Sequence, residues 1–364
     1  MELGTNSFLQ NFKERYQRFW HSVQEQELDG FLVSHPVHLA YLFNFHGSAG
    51  IGCCLGGETQ LLVDSRYMEE AEARGVNCKP VLAKPTLEEA LAEVLSATRP
   101  GSIKRMGLEG QHLSHAVALG IINRNSSIEW ISTTDLIEHL RSVKDPAELD
   151  LLEDAFKLAR KAFLIFKRQL RPGLSEIEAA GMLEYELRRL GGEGVSFDTI
   201  VASGPRSSLP HGTATSKKLR RGEVVLIDFG TRRRDYCSDL TRLELLPGAR
   251  KPDIYGIVRE AQQAAIEKTR PGVLSSDIDT AARDVICRAG YGEFFGHSTG
   301  HGLGMEVHEK PVISSRRPSE IREGMVFTIE PGIYLPGRIG ARIEDVVVVT
   351  RNGCRLLPAP LCID

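Results

Sequence analysis

The sequence predicts a two-domain chain of the α/β (α+β) class. Three observations carry that reading. Apolar, strand-like runs alternate with helical patterns through the first 140 residues, the mark of an α/β domain. A helix-start signal at Asp145-Pro146-Ala147-Glu148 then marks a change of pattern. Beyond it, pairs of helical patterns are interleaved with apolar runs that end in carboxylates. A chain of 364 residues is long enough for two domains of ordinary size. The domains are read as residues 1–141 and 142–364.

In the first domain, residues 7–27 read as an amphipathic helix and Gly30 to Ser34 as a buried strand ending at His35-Pro36. Ile51–Leu55 and Gln60–Asp64 are apolar runs joined by Gly56-Gly57-Glu58-Thr59, which reads as a hairpin. Helical patterns follow at 67–75 and 86–98, and strands at 105–109 and 128–131. Asp64-Ser65-Arg66-Tyr67 reads as a local ion pair, and the glycine-rich loop around His46 as a structural turn.

The second domain opens on a capping-box-like start at Asp145, with Pro146 at the first helical position and Glu148 three residues on. Apolar positions repeat at helical spacing to about residue 168, and Arg171-Pro172-Gly173 breaks the helix. Another helix runs from Ser175-Glu176 to Leu190. Ser196–Ala202 reads as a strand, and 203–212 as a turn-rich segment containing His211. Glu223–Gly230 is a strand ending in Asp228. A turn holding Arg232, Arg233 and Arg234 follows, and Tyr236–Arg242 returns with Asp239. Such a hairpin would set Asp228 beside Asp239. Helical patterns occupy 252–268 and 275–289. Two further strands carry acids: 325–330 ends in Glu330, and 341–349 holds Glu344 among Ile and Val.

Between them lies Gly296-His297-Ser298-Thr299-Gly300-His301-Gly302-Leu303-Gly304-Met305-Glu306-Val307-His308-Glu309. The spacing of His297 and His301 would suit one face of a helix, but Gly300, Gly302 and Gly304 oppose one. Glycine permits angles and close approaches that other residues resist. This reads as chain bent to aim imidazoles.

Composition excludes several classes. At 41% hydrophobic and 26% charged, the chain is neither disordered nor a membrane protein. A net charge of −3, from 45 basic and 48 acidic residues, gives no case for nucleic acid. There is no basic-then-apolar signal peptide after Met1 and no apolar run near the ~20 residues that span a membrane. Seven cysteines (53, 54, 78, 237, 287, 354, 362) are scattered without a CxxC, so neither a structural zinc nor a disulfide framework is indicated. A reducing cytoplasm is the expected compartment.

Asp228, Asp239, His301, Glu330 and Glu344 together make a hard, oxygen-rich donor set. Close carboxylates repel unless a proton or cation sits between them, and an acid on a core strand is costly unless paired or metal-bound. The alternative for Glu344 is a buried salt bridge to Arg342 or another base. Four anionic ligands and one imidazole suit two ions sharing carboxylates, Mn²⁺ first, with Co²⁺ or Zn²⁺ as alternatives. The chemistry is metal-assisted hydrolysis, and His211, His297 and His308 are left to face a substrate.

The contexts Ile-Asp228-Phe-Gly, Tyr-Cys-Ser-Asp239-Leu-Thr-Arg, His297-Ser-Thr-Gly-His301-Gly-Leu-Gly, Thr-Ile-Glu330-Pro-Gly-Ile-Tyr and Arg342-Ile-Glu344-Asp resemble, in order, the pita-bread metallopeptidases. That family includes aminopeptidase P, prolidase and methionine aminopeptidase. The match covers roughly residues 145–360. The first half resembles the creatinase/prolidase-type amino-terminal domain through Phe-His46-Gly-Ser-Ala-Gly and Asp64-Ser-Arg-Tyr, with His46 where a small hydroxyl residue is expected.

The resemblance implies that Asp228 binds one metal, that His301 and Glu330 bind the other, and that Asp239 and Glu344 bridge. It gives Glu330 a proton-shuttle role as well. His211 and His308 would bind substrate and stabilise its tetrahedral form, His297 would line the pocket, and Arg342 would orient the acids. The implied reaction cleaves the bond between an amino-terminal residue and proline, and the implied assembly is a homodimer. Gly47-Ser48-Ala49-Gly50 and Asp64–Tyr67 favour Xaa-Pro aminopeptidase; the alternative is Xaa-Pro dipeptidase (prolidase). The additional amino-terminal domain argues against methionine aminopeptidase. A non-catalytic peptide-binding relative, or the metal-free creatinase type, would lack the five ligands. Asp228-Phe229-Gly230 spells a kinase motif, but no VAIK lysine or HRD loop accompanies it.

Overall fold

The computed structural model describes residues 5–99 and 101–357; Cys362 and the start at Met1 lie outside them. The chain divides into two compact units, Met1–Leu140 and Arg141–Asp364.

In the first unit helix α1 (Thr5–Glu25) leads into a mixed sheet of β1 (Gly30–Val33), β2 (Ile51–Leu55), β3 (Glu58–Val63), β4 (Lys79–Leu82), β5 (Arg105–Glu109) and β6 (Glu129–Thr133). The strand order is β4-β3-β2-β1-β5-β6. β1 pairs parallel with β5 and antiparallel with β2. The β2–β3 hairpin turns at Gly56 and Gly57, both at positive φ (58° and 86°), as a two-residue loop matched to strand twist requires. Helices α2 (Pro36–Phe43), α3 (Met68–Arg74), α4 (Leu87–Ser96), α5 (His115–Arg124) and α6 (Leu136–Ser142) complete the set. The expected Asp64–Arg66 ion pair is present, at 2.7 Å. Four elements have no counterpart in the sequence reading: α2, β4, α5 and α6. Helix α2 is buried from His38 to Phe43, so its sequence shows no polar face to give it a period.

The second unit begins with α7 (Pro146–Lys167) and α8 (Glu176–Arg189). Both start on true capping boxes. Asp145 accepts from the Glu148 amide at 2.9 Å while Glu148 accepts from the Asp145 amide at 3.0 Å, and Ser175 and Glu178 repeat the pattern. Glu148 also accepts from Tyr236 Oη at 2.9 Å, within a buried pocket. Next come β7 (Gly194–Val195), β8 (Ile200–Ser203), β9 (Val224–Phe229), β10 (Thr231–Arg233), β11 (Tyr236–Cys237) and β12 (Leu240–Leu245). Helices α9 (Asp253–Lys268) and α10 (Ser275–Arg288) follow. The chain closes with β13 (Gly300–Gly302), β14 (Glu309–Ile313), β15 (Val326–Ile329), β16 (Gly332–Leu335), β17 (Ile339–Arg342), β18 (Asp345–Thr350) and β19 (Gly353–Leu357).

The strands are ordered β12-β9-β8, β14-β13-β15-β18-β19, β11-β10-β7 and β16-β17. Alternate residues feed two cores. Val224 and Leu226 of β9 join one core with α9 and α10, while Val225, Ile227 and Phe229 join another with α7 and α8. In β18, Val347 and Val349 join the first, and Val346 and Val348 the second. Strands covered on both faces read as unbroken apolar runs. Phe163 of α7 stacks on Phe229 at 4.9 Å, a contact worth about 0.5–1.5 kcal/mol beyond burial.

Several sequence expectations need correction. The strand read over 196–202 is regular only at 200–203. Arg232 and Arg233 lie on β10, and the turn is Arg234–Asp235, both at positive φ. The run 341–349 is two strands, and Glu344 sits in the break between them. Among the described residues no helix is long and apolar enough to cross a membrane.

Candidate active site

Two antiparallel strand pairs carry the four acids. In β9–β12, Asp228 lies opposite Thr241, and Asp239 directly precedes the Leu240↔Phe229 pair. In β15–β18 the last pair is Ile329↔Asp345, so Glu330 and Glu344 are the next residues on facing strands. The pairs are tied together where the Glu344 amide donates to Thr241 O at 3.3 Å and Arg242 Nη1 donates to Glu344 O at 2.6 Å. A β-strand end is where a side chain can leave a packed core for a cavity without breaking the ladder.

The fifth candidate, His301, stands on β13 and not in a loop. Glycines hold β13 there by close approach; neither Gly300 nor Gly302 has positive φ. A Cβ on Gly300 would fall 1.8 Å from Thr328 O, and one on Gly302 would fall 2.1 Å from Lys310 O. The preceding turn is pinned by buried Asp279, which accepts from Thr299 Oγ1 at 2.7 Å. His301 Nδ1 faces Gly302 O at 3.1 Å, and a carbonyl only accepts. Nδ1 therefore carries the proton, and Nε2 faces Glu330 at 3.2 Å and Asp239 at 3.7 Å.

Ligand atoms of Asp239, His301 and Glu344 lie within 4.8 Å of one another. Arg342 Nη2 donates to Asp228 Oδ2 at 2.5 Å, so the arginine serves Asp228; Glu344 accepts instead from Thr241 Oγ1 at 2.8 Å. Asp228 Oδ1 is buried without a hydrogen-bond partner. Burial, with the neighbouring carboxylates, pushes Asp239 and Glu344 well above the usual carboxylate range, and burial raises Asp228 despite Arg342. Burial works against the charge of Glu330 too, but the bond to His301 holds it down at about 2. His301 is the converse: burial opposes its charge, yet Glu330 lifts it to about 9. Four clustered acids facing one arginine and one imidazole, with an orphaned oxygen, fit divalent cations: the donors are hard, anionic and convergent.

Around them lies a cavity of about 650 Å³ lined by His211, His297 and His308 as well as Pro210, Phe197 and Val312. All nine residues singled out from sequence line it or reach it. The His301 and His308 rings are 4.4 Å apart. Burial depresses both His297 and His308 below the usual imidazole value. A larger groove, about 810 Å³, lies under α1 in the first unit, but Tyr16, Trp20, Gln24 and Leu55 on its walls offer no such set of acids and imidazoles.

Sequence reasoning missed Tyr334. Its Oη accepts from Arg342 Nη1 and bonds His297 Nε2, both at 2.9 Å. The one available signal was its place at the end of the Glu330 segment. Thr241 and Thr328 were missed as well; Thr328 Oγ1 accepts from the His301 amide at 3.0 Å and donates to Glu330 at 3.2 Å. Their one signal was the same kind: they lie in the Asp239 and Glu330 segments.

The fold and the acidic donor set define a metal-dependent hydrolase. The chain belongs to metallopeptidase family M24, whose model matches residues 150–351, and a Creatinase/Prolidase N-terminal domain matches 15–143. It is 37% identical over 354 residues to an Xaa-Pro dipeptidase of Pyrococcus furiosus, covering 95% of this chain and 97% of that one. The solved structure of an Xaa-Pro dipeptidase from Bacillus anthracis matches with a TM-score of 0.91 at 36% identity, over 96% of this chain and 98% of that one. An X-Pro aminopeptidase from Thermotoga maritima matches with a TM-score of 0.85 at 37% identity, over 93% and 98%. The chain is thus a metallopeptidase with the pita-bread fold behind a creatinase/prolidase-type domain.

Proposed function

We propose that this chain is an Xaa-Pro dipeptidase, hydrolysing the bond between an amino-terminal residue and proline. The observation that carries the reading is one cavity lined by Asp228, Asp239, Glu330 and Glu344 together with His301, whose Nε2 faces Glu330 and Asp239, and by three further histidines. Asp228 would hold one divalent ion, His301 and Glu330 a second, and Asp239 and Glu344 both; Mn²⁺ is the first choice, Co²⁺ or Zn²⁺ the others. Bound there, such ions would activate water and polarise the scissile carbonyl.

The protein's own groups do the rest. Glu330 takes a proton from the attacking water and returns it to the proline nitrogen as the C–N bond breaks. His211 and His308 donate hydrogen bonds to the carbonyl oxygen as negative charge develops on it. His297, neutral through burial and fixed by Tyr334, forms a rigid wall. Proline's locked ring makes such a shaped pocket necessary.

Relatives named as dipeptidases support this choice over the aminopeptidase that the Gly-Ser-Ala-Gly and Asp-Ser-Arg-Tyr segments favour. The Thermotoga relative supports the second reading, removal of the residue before proline from longer peptides. The test compares an X-Pro dipeptide with an X-Pro-headed tripeptide, each with Mn²⁺ and with chelator. Preference for the dipeptide is expected. Preference for the tripeptide selects the aminopeptidase, and hydrolysis of neither with metal restored overturns both. We further place the protein in the cytoplasm as a homodimer; a single-chain mass in solution would overturn the dimer.

A further inference from the structure

The first unit holds a histidine cluster that the peptidase chemistry does not use. His35 lies at the N-terminus of α2, His38 follows within that helix, and His112 lies between β5 and α5. Ligand nitrogens of the three lie within 4.8 Å of one another. The His35 and His112 rings stack at 3.9 Å, and His38 stands edge-on to both, at 4.8 and 5.1 Å. A carboxylate completes the group: Glu138 Oε1 is 2.7 Å from His112 Nε2 and 3.9 Å from His38 Nε2.

His38 is also supported from behind. Its Nδ1 meets Glu109 Oε1 at 2.5 Å. The other Glu109 oxygen accepts from the Ser34 amide at 2.5 Å, from Ser34 Oγ at 2.8 Å and from the His35 amide at 2.8 Å. An ionised carboxylate only accepts, so Nδ1 donates and Nε2 is turned towards Glu138 and His112. A buried carboxylate that fixes the tautomer and aim of a histidine is the usual outer support of a metal-ligating imidazole.

We propose that His35, His38, His112 and Glu138 form a binding site for a divalent transition metal, Zn²⁺ by the chemistry of its donors. Three imidazoles and one carboxylate are a complete tetrahedral set for zinc. The alternative ions that favour all-oxygen ligands are poorly served by three nitrogens. His38 is buried while His112 is open to solvent, so an ion can enter from one side. The ion would staple the β1–α2 turn, the β5–α5 loop and α6 together. It would stabilise this unit by mass action, since the scattered ligands do not form the site in the unfolded chain.

The test uses the full-length chain carrying Asp239→Asn and Glu344→Gln, so that metal held by the peptidase set is not counted. After chelation and desalting, this parent should take up one zinc ion per chain. With Co²⁺ it should show the visible absorption of a tetrahedral nitrogen–oxygen site. Zinc should raise its melting temperature by tryptophan fluorescence, since Trp20 and Trp130 both lie in this unit. Adding His112→Ala should weaken zinc binding by at least roughly tenfold and abolish the absorption, and Glu109→Gln should weaken it by about 10–100-fold. Glu138→Gln, at a partly exposed position, should act likewise and stands in if His112→Ala misfolds. A parent that takes up no zinc, or variants that bind it as tightly as the parent, would overturn the proposal and leave a stacked imidazole–carboxylate network.

Discussion

Arg342 and Asp228 are 114 residues apart in sequence, yet Arg342 Nη2 donates to Asp228 Oδ2 at 2.5 Å. Three further donations leave the same guanidinium: to Pro210 O, Tyr334 Oη and Thr241 Oγ1, at 2.9 to 3.0 Å. One planar fork thus joins an acid of β9 to the segment carrying His211 and to the tyrosine that holds His297. In the chelated protein, Arg342→Ala leaves Asp228 buried and uncompensated and is expected to cost about 3–5 kcal/mol. Arg342→Lys should recover little, because an ammonium cannot span the same acceptors. Denaturant unfolding with chelator checks both; a lysine variant as stable as wild type would contradict the role.

In the proposed reaction Glu330 moves a proton. Glu330→Gln is expected to lower kcat by about 10²–10⁴-fold and to reduce the bound metal. Metal analysis beside steady-state kinetics separates these effects. In the unmodified protein, chelation should abolish hydrolysis and Mn²⁺ should restore it.

Tyr334 links two groups of opposite character. Arg342 donates to its oxygen, and its own proton goes to His297 Nε2, because His297 Nδ1 is 2.8 Å from Ser298 O and must donate there. Tyr334→Phe takes the donor from His297 Nε2 and one of two acceptors from Arg342 Nη1, which keeps Pro210 O, in a buried place, at a cost of about 1–3 kcal/mol. KM should rise more than kcat falls, since His297 shapes the pocket. Equal kinetics for the variant would remove Tyr334 from the site.

Glu176 sets an acid limit. It is fully buried and accepts from Ser203 N and Oγ, Arg206 Nε, and Thr215 N and Oγ1, all between 2.7 and 3.1 Å. It therefore fastens both ends of the segment bearing His211. Burial opposes its charge, but the Thr215 and Ser203 bonds and Arg206 hold its carboxyl below the ordinary 4.5. With the folded value depressed, its stabilisation is present above pH 4.5 and fades as pH falls below it. Unfolding followed by circular dichroism between pH 6 and 3 should show that acid loss, and Glu176→Gln should lower stability at pH 6 and flatten the slope. An unchanged slope would assign the acid limit elsewhere.

The sequence by itself determined what depends on a few neighbouring residues. The capping box at Asp145, the helix start at Ser175, the Gly56-Gly57 turn, the acids on apolar runs and the glycines around His301 are all local signals, and each maps onto an observed element. The four carboxylates stand out in sequence because an acid on an apolar run is costly without partners, and His301 because glycines surround it. What the tertiary structure decided is who faces whom. Arg342 stands two residues from Glu344 in sequence, but the β17–β18 break turns it to Asp228. Tyr334, Thr241 and Thr328 acquire meaning only through residues brought to them by pairing. The buried α2 hides its period, and His35, His38 and His112 meet only because β1 and β5 lie side by side in the sheet. Charge pairing and cavity lining depend on distance in space, and a chain folded into paired strands makes that distance nearly independent of separation in sequence.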